Sequence, residues 1–168
     1  MTTLYLVRHG ETEDNVAKIM QGQTHGRLTE HGCEQARELA EKLKDEHIDA
    51  FVASDLQRAV DTAAIIAAPH GLPVDTTPLL RERDWGGFTG RYIPDLKDEV
   101  WPDDIEALGQ LADRATRFLD HIKTKYHGQR VLAVGHGIIN KAVQSVYFKL
   151  PMNKIQRMEN AEVRMLEL

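Results

Sequence analysis

The chain has 168 residues, 42% hydrophobic and 28% charged, an ordinary globular composition with enough apolar mass for a core. Its net charge of −5 argues against a general affinity for nucleic acid or anionic membranes. The single cysteine, Cys33, rules out an internal disulfide and a cysteine metal cluster. No apolar run approaches the roughly 18–20 residues of a membrane span. The N-terminus lacks a basic stretch followed by a long apolar one, so a cytoplasmic protein with one domain over residues 1–168 is expected.

Leu4–Val7 is short, apolar and followed by Arg8-His9-Gly10, the pattern of a buried strand. Thr29 can cap a helix over Glu30–Glu46, whose stripe of Cys33, Ala36, Leu39, Ala40 and Leu43 has helical spacing and places Cys33 in the core. Ala50–Ala53 reads as a second strand. Ser54-Asp55-Leu56-Gln57 fits a capping box for a helix that Pro69 and Gly71 stop. Val74 to Leu80 is a weak extended stretch broken by Pro78. Ile105 to Tyr126 carries a long amphipathic pattern ending at Gly128. Val131–Val134 is the third clear strand, and Ile138 to Tyr147 is a helix closed by Pro151. Ala161, Val163 and Met165 alternate with Glu162 and Arg164, as in a half-exposed strand. Strands alternating with helices predict a three-layer α/β/α fold with a mostly parallel sheet and helices on both faces. In such sheets ligands bind beyond the carboxyl ends of the strands. The irregular stretch Trp85–Pro102 is long for a connection.

The chemistry-bearing residues converge on that rim. Arg8 and His9 follow the first strand, Arg58 opens the helix after the second, Glu82 follows the weak stretch, and His136 follows the third clear strand. A phosphate ester resists attack until its charge is neutralised, a nucleophile is in line and the leaving oxygen receives a proton. Arg8 and Arg58 can grip phosphate oxygens. A neutral His9 or His136 can attack while the other donates a hydrogen bond. Glu82 can act as acid and then base. Gly10 and Gly137 let the backbone approach an anion. Two histidines and a glutamate can also bind zinc, but no His-Glu-x-x-His helix is present and the arginines would repel a cation, so neither metal nor cofactor is expected. The other histidines, His25, His31, His47, His70, His121 and His127, read as surface or capping residues. Trp85 and Trp101 read as packing residues.

Leu6-Val7-Arg8-His9-Gly10-Glu11-Thr12 resembles the opening motif of the histidine phosphatase superfamily, the phosphoglycerate mutase-like proteins. Further blocks follow in the family's order, covering the chain nearly end to end: Leu28-Thr29-Glu30-His31-Gly32, Ser54-Asp55-Leu56-Gln57-Arg58-Ala59, Leu80-Arg81-Glu82-Arg83-Asp84-Trp85-Gly86 and Gly135-His136-Gly137. The resemblance implies that His9 is the phosphorylated nucleophile, that Arg8, Arg58 and His136 form the phosphate pocket, and that Glu82 is the proton donor. It implies that Asn15 orients the pocket and that Gln21, Thr24 and Gly137 contact a small phosphorylated substrate.

In the family's mutases the segment between the glutamate and the second histidine is long and covers the substrate. Here Glu82 to His136 is 54 positions, and Arg91–Glu106 holds two basic residues against six acids. Such a wall suits a bisphosphorylated substrate poorly, and a short lid leaves a phosphohistidine open to water. A phosphomonoester hydrolase acting on a small metabolite is therefore expected. Mutase-type transfer, a protein phosphohistidine phosphatase and a phosphate binder without turnover are the alternatives.

Overall fold

The computed structural model describes residues 1–168. In chain order the elements are β1 (Thr3–Arg8), α1 (Glu13–Ala17), α2 (Glu30–Leu43), β2 (Ala50–Ser54), α3 (Gln57–Ala67), β3 (Val74–Thr77), α4 (Leu108–Lys125), β4 (Arg130–Gly135), α5 (Gly137–Phe148) and β5 (Val163–Glu167). The strands form one sheet in the order β3-β2-β4-β1-β5. The first four are mutually parallel, and β5 pairs antiparallel with β1 at the edge.

All six residues of β1 are buried, which requires a layer on each face. Side chains alternate across a strand. Leu4 and Leu6 of β1, Val52 of β2, and Val131 and Ala133 of β4 accordingly join Leu111, Ala115 and Phe118 of α4 and Ile139, Ala142 and Val143 of α5. Tyr5 and Val7, Phe51 and Ala53, and Leu132 and Val134 face the other way, onto Leu39 and Leu43 of α2 and Ala59, Ala63 and Ile66 of α3. Phe118 is fully buried in the first layer. Truncating it to alanine costs about 3–5 kcal/mol, a large part of the roughly 5–15 kcal/mol that holds a domain together.

Several local expectations change. α2 stops at Leu43 rather than Glu46, because the apolar stripe ends there and Glu46 turns back to bond the Leu43 carbonyl. Cys33 is only half-buried, so it lies at the edge of the core. No capping box forms at Ser54: Leu56 is the N-cap of α3 without a side-chain bond, and Ser54 is drawn to His136. Val74 to Leu80 divides into β3 and a 3-10 turn at Pro78–Leu80. α4 begins at Leu108, after Gln110 folds back to accept from the Ala107 N–H at 2.8 Å. The short helix α1 was not anticipated; Thr12 and Asn15 cap it reciprocally. Gly10 is required by packing: a Cβ there would meet the Gly32 carbonyl oxygen at 2.5 Å. No helix is long and apolar enough to cross a membrane.

Candidate active site

The carboxyl ends of β1, β2 and β4 deliver the site. Arg8 ends β1 and His9 follows it; Ser54 ends β2; Arg58 lies in the first turn of α3; His136 stands between β4 and α5. Glu82 comes two residues after the 3-10 turn that follows β3. A cleft of about 390 Å³ opens on this rim, lined among others by Arg8, His9, Arg58, Glu82, Trp85 and Gly137.

His9 is almost fully buried, and its Nδ1 lies 2.7 Å from the Gly10 carbonyl oxygen. A carbonyl only accepts, so Nδ1 carries the hydrogen and Nε2 keeps its lone pair. Burial, reinforced by the positive charges of Arg58 and Arg8, holds the imidazole pKa at about 3, against a smaller opposing effect of the Gly10 bond. The ring is therefore neutral near pH 7 and its Nε2 is a competent nucleophile. Backbone bonds fix its position: His9 N donates to Gly135 O at 3.1 Å, and Asn160 Nδ2 donates to His9 O at 3.0 Å.

Around this ring stand three buried nitrogens with no partner: Arg8 Nε, Arg58 Nε and His136 Nδ1. They are three of only five such buried side-chain atoms in the protein. Each unsatisfied donor costs about 1–3 kcal/mol, so their clustering gives this site the chemistry to accept an anion. The rest of each side chain is tied down. Arg8 Nη1 donates to the Met158 carbonyl at 2.8 Å. Arg58 Nη2 donates to Gly22 O at 2.8 Å, and its Nη1 donates to the carbonyls of Thr24 and His25. Burial lowers both guanidinium pKa values, that of Arg58 to about 10, which leaves it charged at pH 7. The His136 and His9 ring centroids are 5.1 Å apart. Ser54 Oγ accepts from Leu56 N and lies 2.8 Å from His136 Nε2. When that hydroxyl donates to Nε2, the imidazole hydrogen sits on the unpartnered Nδ1. Burial, followed by the Arg58 charge, pushes the His136 pKa well below its ordinary value.

Glu82 is anchored on α5. Its Oε2 accepts from Ile138 N at 3.1 Å, and its Oε1 accepts from Ile139 N at 3.0 Å and Arg83 N at 2.9 Å. The two α5 amides are donors that a helix N-terminus cannot satisfy internally. The loop carrying Glu82 is strapped to α4 by Arg114. That guanidinium donates to the carbonyls of Leu79, Arg81 and Glu82 and to both carboxylate oxygens of Glu106. Gln23 adds a bond to the Glu82 carbonyl at 3.2 Å.

Residues 4–168 match the histidine phosphatase superfamily, branch 1. The chain belongs to that superfamily. It is 37% identical to a probable phosphoglycerate mutase of Proteus mirabilis, over 90% of this chain and 77% of that protein. It is 36% identical to the metal-independent phosphoserine phosphatase of Arabidopsis thaliana, over 100% of this chain and 77% of the relative. Among solved structures it resembles mycobacterial glucosyl-3-phosphoglycerate phosphatase complexed with VO3. The TM-score is 0.89 at 29% identity, covering 98% of this chain and 92% of the other.

The residues that carried the resemblance to the histidine phosphatase superfamily meet at this cleft unevenly. Arg8, His9, Arg58, Glu82 and Gly137 line it, as do Asn15 and Gln21. His136 is fully buried, against His9. Asn15 Oδ1 caps the Thr12 N–H at 3.0 Å, and buried Gln21 accepts from Thr12 Oγ1 at 3.0 Å. Thr24 does not reach the cleft: its exposed side chain donates to the Gln21 carbonyl, and only its own carbonyl engages the site, through Arg58. Gly137 faces the Arg8 side chain, 3.5 Å from where a Cβ would stand. The acidic stretch does not wall the cleft as expected. Asp103, Asp104 and Glu106 line a separate depression, while Glu99 pairs with Arg91. Trp85 lines the cleft while meeting Trp101 edge to face, with ring centroids 5.6 Å apart, so it is more than a packing residue.

Lys141, Arg157, Ile19, Met20 and Ile93 also line the cleft, and of these sequence reasoning passed over Lys141 and Arg157. Lys141 carried a usable signal, being one helical turn beyond Gly137 on α5. Arg157 sits in irregular chain before β5 and carried none.

Proposed function

We propose that residues 1–168 form one catalytic unit that hydrolyses phosphomonoesters of small metabolites through a phosphohistidine on His9. The observation that carries this reading is the set of three unpartnered buried donors around a neutral histidine. Arg8 and Arg58 neutralise the nonbridging oxygens and the neutral His136 donates a hydrogen bond to them while His9 Nε2 attacks phosphorus. The bond from phosphorus to the ester oxygen breaks as the Nε2–P bond forms, and Glu82 gives its proton to the departing alkoxide. Glu82, now a carboxylate, takes a proton from water. The hydroxyl attacks the phosphohistidine, inorganic phosphate leaves, and His9 is neutral again. Asn15 and Gln21 are assigned to substrate contact; Thr24 is assigned only to holding Arg58.

The phosphatases among the relatives support hydrolysis. The relative named a probable phosphoglycerate mutase favours a second reading, in which product rather than water attacks the phosphohistidine. With the acidic stretch outside the cleft, its charge no longer counts against a mutase, and the short connection to His136 is what favours water. The test is phosphate release across a metabolite panel, with 3-phosphoglycerate isomerisation followed in parallel. Release by the wild type, its loss in His9→Ala and no effect of EDTA are expected. Isomerisation without release would establish a mutase, and full turnover by His9→Ala would overturn the covalent mechanism.

A further inference from the structure

Leu28-Thr29-Glu30-His31-Gly32, the block that opens α2, contributes no side chain to the cleft. Its place in the fold is against the loop that carries His9. Gly32 lets the chain after β1 lie directly on the first turn of α2: a Cβ there would collide with the Glu11 carbonyl oxygen. Residues three apart share a helix face, so this close approach also brings Gln35 beside the loop. Gln35 Oε1 accepts from Glu11 N at 2.9 Å. A backbone N–H only donates, so the amide oxygen faces it and the NH2 points away, toward His31 Nε2 at 3.3 Å.

The Glu11 N–H belongs to the same peptide unit as the Gly10 carbonyl, and that carbonyl lies 2.7 Å from His9 Nδ1. The unit is planar and trans, so a bond that fixes its N–H also fixes its C=O. The result is one unbroken chain, from His9 Nδ1–H to Gly10 O, across the peptide, and from Glu11 N–H to Gln35 Oε1. Hydrogen bonds in series polarise one another. Glycine backbone is free to rotate, so the carbonyl needs such an anchor. Thr62 Oγ1 accepts from Gly10 N at 3.1 Å, which holds the preceding peptide unit. Thr29 N donates to Glu11 O at 3.0 Å, which holds the following one. Gln35 is the side chain that holds the unit between them.

We propose that Gln35 is a positioning residue: through the Gly10–Glu11 peptide it keeps His9 in the tautomer that carries hydrogen on Nδ1 and leaves the Nε2 lone pair for phosphorus. It acts through that peptide and does not itself line the cleft. An imidazole whose Nδ1–H has a fixed partner is both oriented and made more basic at Nε2. Without Gln35 the carbonyl can turn from the ring, and the other tautomer, with hydrogen on Nε2, has no lone pair with which to attack. This inference deepens the phosphatase reading above, since it rests on His9 as the nucleophile.

Two variants test it. Gln35→Leu removes the acceptor at nearly constant volume, and Gln35→Glu restores one. In Gln35→Leu, kcat/KM is expected to fall by roughly 10–100-fold. The fall should be equal for an alkyl phosphate and p-nitrophenyl phosphate, because attack rather than leaving-group protonation is impaired. Inhibition by inorganic phosphate, which the arginines hold, stays at the wild-type level, and Gln35→Glu regains most of the lost activity. Nitrogen NMR of histidine-labelled protein should show His9 as a single Nδ1–H tautomer in the wild type and as a mixture in Gln35→Leu. A loosened α2 would lower Tm without moving that signal. An undiminished kcat/KM in Gln35→Leu would overturn the proposal. Lower activity with the wild-type tautomer, or lower activity that Gln35→Glu does not rescue, would overturn it too and reduce Gln35 to packing. A wild type that releases no phosphate would sink the phosphatase reading instead, and the tautomer would still decide for or against Gln35.

Discussion

Glu82→Gln separates the proton-donor role from a purely structural one. The carboxyl group accepts three backbone N–H bonds, from Arg83, Ile138 and Ile139, all within 3.1 Å. An amide keeps one accepting oxygen and turns an NH2 toward at least one of those donors. The stranded N–H costs about 1–3 kcal/mol, which for a chain of this size lowers Tm by roughly 2–4 °C per kcal/mol. The fold survives, so kinetics can be read. A positioned general acid contributes about 10²–10⁴ in rate, equal to about 3–5 kcal/mol of barrier. That loss falls on substrates whose leaving oxygen needs the proton. An alkyl phosphate should therefore slow by about 10²–10⁴ in kcat/KM. p-Nitrophenyl phosphate, whose phenolate departs unprotonated, should slow far less in its first step. In the proposed mechanism Glu82 also activates water, so that substrate should give a burst of p-nitrophenol followed by slow turnover. The assay is kcat/KM for both esters with a rapid-quench measurement of the burst. Equal slowing of the alkyl and aryl esters would refute the proton-donor role and reduce Glu82 to a cap on α5.

Arg114→Ala leaves the Glu106 carboxylate without its partner at 2.8 Å and frees the carbonyls of Leu79, Arg81 and Glu82. Breaking such a largely buried pair costs about 3–5 kcal/mol, and calorimetry should show a lower Tm, with alkyl phosphates losing more activity than aryl ones. A wild-type ratio of alkyl to aryl activity would show that Arg114 does not position Glu82. The pH dependence of stability has a definite sign. His9 stays neutral in the fold down to about pH 3, and His136 is shifted the same way, whereas histidine in the unfolded chain protonates near pH 6.5. Their stabilisation is complete above about pH 6.5 and declines as pH falls below it, by up to about 1.4 kcal/mol per pH unit for each group. Urea unfolding at pH 7 and pH 5 should show that slope, shallower in His9→Asn; an unchanged slope in the variant would contradict the burial argument. Vanadate at about 100 times its Kd should stabilise the protein by about 2.7 kcal/mol, or roughly 5–11 °C in Tm. Arg58→Gln should abolish the shift, and an undiminished shift in that variant would place the anion elsewhere.

The amino-acid sequence alone determined which residues can form each layer. The continuous apolar runs of Leu4–Val7 and Val131–Val134 and the stripes of α2, α3, α4 and α5 are local properties, written in the order of residues along the chain. The same local reading put Arg8, His9, Arg58, Glu82 and His136 after strands, and hence on one rim. Periodicity, however, specifies a face and not a partner. That Ser54 serves His136 rather than capping α3, that Glu82 rests on the α5 amides, and that Arg114 straps the loop to α4 are contacts across dozens of residues. Thr24 turned away from the cleft for the same reason, since the packing of the 21–25 loop onto Arg58 left only its carbonyl facing inward. The acids of the 91–106 stretch had the composition of a repelling wall, but composition carries no direction, and the chain bends them into another depression. Lys141 and Arg157 came to line the same cleft as Arg8 and Arg58 only when α5 and the chain before β5 packed against β1. A hydrogen bond or an electrostatic contact depends on distance in space, and distance between remote parts of a chain exists only once the core has closed.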